Sequence, residues 1–174
     1  MRGENINLRA LEPSDINLLY QWENDMSLWK LSNTLTPFSR FTLEQYVLNA
    51  QQDIFAIKQL RLMIDLNDTI DDDKSIGCID LFDYEPLHRR AGIGLMIIKN
   101  YRQRGYGFEA IQLISDYSKV VLNLHQLFCN ITADNQISFN VFQKAGFQVI
   151  GLKKQWLFIN NEWKDEYLLQ KILQ

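Results

Sequence analysis

A short segment with two glycines, residues 101–107, constrains the fold of this chain more than any other feature. It follows an apolar run over residues 93–98 and precedes a stretch with helical periodicity. A strand, a glycine turn and a helix in this order leave backbone N–H groups without acceptors where the helix begins. The helix dipole favours an anion there, and glycine lets a phosphate approach the backbone. A loop that only caps the helix is the alternative. The predicted anion-binding residues are Arg102, Gln103, Arg104, Gly105, Tyr106 and Gly107.

Length and charge restrict the class of protein. A chain of 174 residues, with 47% hydrophobic and 22% charged residues, is predicted to form one domain, residues 1–174. The net charge of −3 argues against a nucleic-acid partner, and no apolar run reaches the length of a membrane span. The first residues lack the apolar stretch of a signal peptide, and Cys78 and Cys129 lie in apolar runs as two predicted buried thiols. We therefore expect a cytoplasmic protein without a metal.

Hydrophobic periodicity predicts an α/β fold with helices on both faces of a sheet. The predicted strands are Ile6–Ala10, Leu60–Leu66, 75–84, 90–98, 127–132, 149–159 and 166–172. Two helices are predicted to start at residues 12–15 and near Thr42. Two more are predicted to span residues 107–122 and 138–145. In the third helix the inner face is predicted to hold Ala110, Ile111, Ile114, Tyr117, Ser118 and Val121. The acidic stretch 65–73 lacks the glycine and glutamate of a calcium loop, so we interpret it as a solvated turn.

Four stretches in order resemble the GNAT superfamily of acetyl-CoA-dependent N-acetyltransferases. They are residues 8–15, 88–91, 101–107, and Asn135-x-x-Ser138 with 144–147 following. The first two are similar to the branch that holds ribosomal-protein N-terminal acetyltransferases and spermidine acetyltransferases. The resemblance covers essentially the whole chain. It implies a mixed, mostly antiparallel sheet of about seven strands, splayed between the fourth and fifth strands, in a single GNAT domain, and it is compatible with a homodimer.

The resemblance also implies where acetyl-CoA binds. The pantetheine arm is expected in the gap between the fourth and fifth strands, paired with main-chain groups of Met96, Ile97 and Ile98. The pyrophosphate is expected on the N–H groups of residues 103–107, where Gln103 replaces a glycine found in many relatives. Asn135 and Ser138 are expected to contact the cofactor. For Asn135 the alternative is a helix N-cap.

The implied reaction is direct transfer of the acetyl group to an amine, for which the usual acid and base positions are altered. Many relatives carry a tyrosine where this chain has Phe142, which is expected beside the cofactor, and a glutamate where it has Gly92. Ser138 is the remaining candidate proton donor, with a helix-start serine as the alternative. Asp80 and Asp83 are candidate bases, with a solvated strand face as the alternative. Because of these changes, a non-catalytic acyl-CoA sensor or scaffold is kept as a second class.

The acceptor is predicted to be a primary amine that binds at the first two helices. Aromatic rings beside a carboxylate suit a cation with an apolar stem, and ordinary core packing is the alternative. The candidate substrate-binding residues are Trp22, Glu23, Trp29 and Phe38. Polyamine enzymes of this branch have adjacent acidic residues before a proline, where this chain has Thr34-Leu35-Thr36-Pro37. A protein or peptide N-terminus or a small amine is therefore the main expectation, and a polyamine is the alternative.

Overall fold

One seven-stranded sheet dominates the computed structural model, which describes residues 1–32, 34–50, 52–67 and 74–173. The strands are β1 (Ile6–Ala10), β2 (Leu60–Leu66), β3 (Ser75–Glu85), β4 (Arg90–Ile97), β5 (Gln126–Thr132), β6 (Gln148–Ile159) and β7 (Glu162–Ile172). Their order across the sheet is β1-β2-β3-β4-β5-β7-β6. β4 and β5 are parallel, whereas the β2–β3, β3–β4, β5–β7 and β6–β7 pairs are antiparallel. The predicted mixed, mostly antiparallel sheet of seven strands is confirmed.

Six α-helices are present in the described residues. They are α1 (Ile16–Glu23), α2 (Met26–Ser32), α3 (Arg40–Asn49), α4 (Ile54–Ile57), α5 (Tyr106–Val120) and α6 (Gln136–Lys144). The sequence did not predict α2 and α4, because seven and four residues are too few to establish a helical period. α3 starts at Arg40 because Ser39 caps it and accepts a hydrogen bond from the Thr42 N–H.

The chain divides into two compact units, Met1–Arg9 with Ile54–Gln174, and Ala10–Asp53. The larger unit contains the sheet with α4, α5 and α6. The smaller unit contains α1, α2 and α3, and its buried apolar side chains include Leu19 and Trp22 of α1 and Leu43 and Val47 of α3.

Helix α5 supplies the main helical contribution to the core of the larger unit. Its buried residues are Ala110, Ile111, Ile114, Ser115 and Ser118. Val121 is 62% exposed, which corrects its predicted place on the inner face. Val121 is the C-cap of α5 and lies three residues past Ser118, the last buried residue of the helix.

Two predicted connections between strands are the β6–β7 hairpin and the turn between β2 and β3. The β6–β7 hairpin turns at Asn160 and Asn161, both in the left-handed region with φ of 53° and 61°, as an Asn-Asn pair favours. β2 and β3 pair antiparallel as expected, but most of the acidic turn between them, residues 68–73, lies outside the described residues.

Candidate active site

β4 and β5 separate after a short stretch of pairing. Their paired residues are Arg90 with Gln126, Ala91 with Leu127, and Gly92 with Phe128. β4 then continues to Ile97, so its edge from Ile93 onward has no partner in β5. The predicted splay between the fourth and fifth strands is therefore present. An unpaired strand edge offers main-chain donors and acceptors to a ligand.

Hydrogen bonds in β4 identify which main-chain groups face this gap. The Ile98 N–H donates to the Ile76 carbonyl at 2.9 Å, and the Ile98 carbonyl accepts from the Tyr101 N–H at 3.0 Å. Both groups are occupied, which corrects the expectation that Ile98 pairs with a cofactor. Because residues of an antiparallel strand alternate between its two edges, Met96 shares the β3 side with Ile98.

The same alternation places Ile93, Leu95 and Ile97 toward the gap. The side chain of Arg102 confirms the direction for Ile97, because its Nε donates to the Ile97 carbonyl at 2.8 Å. Sequence reasoning missed Ile93 and Leu95 and included Met96. The alternation along the strand could have distinguished the residues that face the gap from those that face β3. It does so only once the hydrogen bonds of one residue are known.

The start of α5 has the geometry of an anion site. Its first intrahelical hydrogen bond runs from the Glu109 N–H to the Gly105 carbonyl, at 3.1 Å. The N–H groups of Tyr106, Gly107 and Phe108 therefore have no acceptor within the helix. Gly105 is the N-cap with φ of 92°, and a Cβ added there would meet nothing within 4 Å. Glycine is thus required at this position by its backbone conformation, and the space beside it is open.

Gly107 lies where α5 packs against β4. A Cβ added at Gly107 would lie 3.1 Å from Leu95 Cδ2 and 3.9 Å from Ile97 Cγ1. The missing side chain lets α5 pack closely on β4. The Gly107 N–H is one of those without an acceptor in the helix, and its contact with a phosphate stays a prediction.

The loop before α5 is exposed and positively charged. Arg102 and Arg104 are both exposed, and the Arg104 guanidinium lies 5.4 Å from the centre of the Tyr101 ring. Gln103 has φ of 60°, in the left-handed region. Glycine adopts this conformation without strain, whereas glutamine adopts it at some cost.

Helix α6 begins at the same end of the sheet as α5. The two helices follow β4 and β5, and the carboxyl ends of parallel strands lie at one edge. Asn135 is the N-cap of α6, and its Oδ1 accepts from the Ser138 N–H at 3.2 Å, so the capping alternative is confirmed. Within the described part of the chain the Ser138 hydroxyl has no hydrogen-bond partner. This hydroxyl remains able to donate to a ligand.

Phe142 lies inside the core. Its side chain is 3% exposed, and its ring meets that of Phe147 edge to face, with centres 5.1 Å apart. Phe142 therefore acts first as a packing residue. Its contact with a cofactor stays a prediction.

The two candidate bases have different surroundings. Asp80 is held by Arg61, whose Nε and Nη2 donate to the two carboxylate oxygens at 2.7 and 2.9 Å. Asp83 is exposed, with φ of 48°, at a bulge in β3, and it has no hydrogen bond or ion pair with any described residue. Asp83 also lines a cleft of about 610 Å³. It is thus the more available of the two proton acceptors.

The predicted acceptor-binding residues all lie in the smaller unit. Trp22 is 8% exposed and belongs to its core. The Trp29 indole N–H donates to the Glu23 carbonyl at 2.8 Å, and Phe38 exchanges two main-chain hydrogen bonds with the Asn24 side chain. For Trp22 the structure agrees with the alternative interpretation, ordinary core packing. A role in binding the acceptor stays a prediction for these residues.

Other chemistries find little support in the described residues. Cys78 and Cys129 are buried free thiols, and burial raises the pKa of Cys129 to about 12, so this thiol is not a nucleophile at neutral pH. In the described ranges no group of three or more His, Cys, Asp or Glu side chains is arranged to hold a metal ion. None of the described helices has the length and apolarity needed to cross a bilayer.

Comparison with known families agrees with the geometry of the gap and the two helix starts. The family described as "Acetyltransferase (GNAT) domain" matches residues 5–148. The chain belongs to the GNAT family of acetyltransferases. It is an acetyl-CoA-dependent N-acetyltransferase.

One relative and two structures of a second protein illustrate its similarity to spermidine N-acetyltransferases. The spermidine N(1)-acetyltransferase of Escherichia coli K12 is 25% identical over 94% of this chain and 83% of its own length. A structure of the Vibrio cholerae spermidine N-acetyltransferase with CoA and spermine has a TM-score of 0.86 at 21% identity, covering 98% and 97% of the two chains. A dodecameric structure of the Vibrio cholerae enzyme has a TM-score of 0.78 at 23% identity, covering 98% and 95%. At these identities the two structures establish a shared fold.

Proposed function

We propose that this protein transfers the acetyl group of acetyl-CoA to a primary amine, either a peptide or protein N-terminus or a small amine, within a ternary complex. The observation that carries the proposal is the separation of β4 from β5 after three residue pairs, with the starts of α5 and α6 at the same end of the gap. Acetyl-CoA supplies an acetyl group that is activated as a thioester.

The residues around the gap fit such a cofactor. The main-chain groups of Leu95 and Ile97 face the gap and can pair with amides of an extended arm. The N–H groups of residues 106–108 can receive the pyrophosphate, with Arg102 and Arg104 beside them. The Arg102 Nε donates to the Ile97 carbonyl, which leaves the terminal N–H groups of the guanidinium able to donate to a phosphate.

Three further groups of the chain have roles in the transfer. A main-chain N–H facing the gap, at Ile93 or Leu95, stabilises the charge that develops on the carbonyl oxygen. The Ser138 hydroxyl, which lacks a partner in the described residues, donates to the departing sulfur. The Asp83 carboxylate, exposed at the cleft, accepts the proton of the amine directly or through water.

Two measurements test the proposed function. Acetyl-CoA binding is measured by calorimetry, and acetylated products are identified by mass spectrometry with a panel of peptides, small amines and polyamines. Arg102→Ala should weaken acetyl-CoA binding about tenfold, since one charge contact is lost while the helix N–H groups remain. Arg40→Ala is the matched control, because Arg40 is an exposed arginine engaged with Asn17 and Tyr20. Tight cofactor binding without any acetylated amine would contradict the proposed function and support a sensor.

A polyamine acceptor is the second candidate. It is favoured by the relatives, since the Escherichia coli protein similar to this chain is a spermidine N(1)-acetyltransferase. Against it stands the absence of an acidic pair before Pro37, where this chain has Thr34, Leu35 and Thr36. Competition between spermidine and a peptide for limiting enzyme distinguishes the two candidates.

Self-association is also part of the proposal. The support is the dodecameric Vibrio cholerae structure, which shares the fold at a TM-score of 0.78. Light scattering on the purified chain, with and without acetyl-CoA, measures the molar mass against 20.5 kDa for a monomer. A monomer at all concentrations would contradict self-association and leave the acetyl transfer unaffected.

A further inference from the structure

Two aromatic rings meet across the sheet at the closed end of the gap. Phe82 of β3, Gly92 of β4 and Phe128 of β5 are direct neighbours in the strand register. The rings of Phe82 and Phe128 lie edge to face, with centres 5.9 Å apart and planes at 84°. They meet over Gly92 because that residue has no side chain: a Cβ added there would lie 2.2 Å from Phe82 Cε2.

The aromatic pair makes the surface over Gly92 apolar. The Phe82 ring fills the space that a side chain at position 92 would take. The face of the sheet beside the closed end of the gap is therefore formed by two aromatic rings at this point.

The pair lies on the face of the sheet from which an acceptor can approach, as far as residues 1–9 and 54–173 are concerned. Leu95 and Ile97 point to the opposite face, where α5 packs on them at Gly107. Phe82 and Phe128 are both only partly buried. Phe128 also lines the 610 Å³ cleft, which connects the aromatic pair to solvent.

The charges of this cleft are balanced. Its lining includes two acidic residues, Asp83 and Glu85, and two basic residues, Lys58 and Arg90. Glu85 is already paired with Arg90, whose Nε lies 2.5 Å from Glu85 Oε2. A polyamine carries several positive charges at neutral pH, since alkyl amines have a pKa of about 10. A cleft without net negative charge does not complement several positive charges.

We propose that Phe82 and Phe128 are specificity-determining residues of the acceptor site, and that they select a singly charged primary amine on an apolar stem over a polyamine. The stem lies against the two rings, and the amine reaches the end of the gap beside Gly92. Asp83 is the one carboxylate of the cleft that is not paired with a described residue, so one ammonium group finds one partner. This inference rests on the proposed function.

The test compares three amines: 2-phenylethylamine, ethylamine and spermidine. For the wild type, kcat/KM should be highest for 2-phenylethylamine. Phe128→Ala should lower this value about ten- to a hundredfold, change the value for ethylamine by less than about threefold, and leave the Kd of acetyl-CoA unchanged. Phe158→Ala is the matched control, because Phe158 is 59% exposed on the β6–β7 hairpin and contacts Trp163. Phe128→Leu keeps an apolar side chain and guards against loss of the fold.

Direct binding makes the test independent of turnover. Calorimetric titration of 2-phenylethylamine into the protein should give a signal that Phe128→Ala and Phe82→Ala remove and Phe158→Ala retains. A wild-type preference for spermidine, or an equal loss for every amine and for acetyl-CoA in Phe128→Ala, would overturn the inference while the proposed function stands. If no amine is acetylated, the proposed function fails, and amine binding that ignores Phe128 then overturns the inference as well.

Discussion

The Arg61 guanidinium holds both carboxylate oxygens of Asp80 across the β2–β3 pair, at 2.7 and 2.9 Å. The exposed fractions of the two side chains are 15% and 19%, so the ion pair is largely removed from solvent. Both oxygens are engaged in charge-assisted hydrogen bonds. The pair is therefore better suited to joining two strands than to accepting a proton from a substrate.

Asp80→Asn should consequently act on stability more than on rate. We expect the free energy of unfolding to fall by about 1.5–3 kcal/mol, because hydrogen bonds to a charged group are lost. We expect kcat to change less than about fivefold. Urea denaturation and steady-state release of coenzyme A measure the two effects. Asp83→Asn is the matched comparison and should lower kcat without loss of stability. A hundredfold loss of kcat in a stable Asp80→Asn protein would make Asp80 the base.

Gly92→Ala should destabilise the protein through the ring above it. The added Cβ would lie 2.2 Å from Phe82 Cε2, and overpacking of this kind costs about 1–3 kcal/mol. Phe82→Ala in the same chain should recover much of the loss, which a double-mutant cycle by urea denaturation measures. Gly94→Ala is the control, since the nearest atom to its Cβ is 3.9 Å away. Additive effects of the two substitutions would show that position 92 does not depend on Phe82.

Ser138→Ala should lower kcat more than it weakens cofactor binding. A hydrogen bond to the departing sulfur strengthens as charge develops there, and a positioned donor of this kind contributes about a hundredfold. Steady-state kinetics and calorimetry of acetyl-CoA separate the two effects. Ser138→Thr keeps the hydroxyl and should keep most of the rate. Equal rates for the alanine variant and the wild type would exclude this hydroxyl.

Phe142→Tyr tests whether position 142 faces the gap. The Phe142 ring is 3% exposed, so we expect the added hydroxyl to be buried without a partner and to cost about 1–3 kcal/mol of stability. We expect no rescue of Ser138→Ala in the double variant, as measured by release of coenzyme A. A rescued rate would place the ring edge at the sulfur and would restore the acid that many relatives carry.

Glu109 should make the attachment of the N-terminal strand dependent on pH. Burial alone would raise the pKa of Glu109, but hydrogen bonds from the Asn5 side chain and from the N–H groups of Asn5 and Ile6 lower it below 4.5. The unfolded chain therefore binds the proton more readily, so the stabilisation is present above pH 4.5 and is lost as the pH falls through the folded pKa. Glu109→Gln should melt earlier than the wild type at pH 7, and the difference should shrink toward pH 3.

The sequence predicted elements well where the period was long and the ends carried clear signals. The β6–β7 hairpin is an example, since two asparagines adopt the left-handed conformation that its turn needs. The sequence predicted the role of a residue less well where that role depends on contacts with residues distant in the sequence. The loop motif indicates a phosphate-binding glycine at position 107, and only the structure shows that a Cβ there would also lie 3.1 Å from Leu95 Cδ2. Ile98 looks like a free edge residue until its bonds to Ile76 and Tyr101 are known.

The candidate site, too, was predicted from the sequence only in part. The loop of residues 101–107 and the N-cap Asn135 were found from local motifs, because turns and caps depend on nearby residues. The ring pair of Phe82 and Phe128 was not found. These residues are 46 positions apart in the sequence, and no local pattern indicates that both flank a glycine on a third strand.

The short pairing between β4 and β5 has a thermodynamic consequence. It joins a four-stranded half of the sheet to a three-stranded half through three residue pairs, with the Arg89 carbonyl accepting from His125 beside them. A molecule that pairs with the β4 edge adds main-chain bonding between the halves in the native state alone. Because this molecule binds only the native state, it raises the free energy of unfolding by mass action. The increase is about 2.7 kcal/mol at a concentration of a hundred times its Kd. The concentration of cofactor in the cell thus raises the free energy of unfolding of this protein as well as its rate.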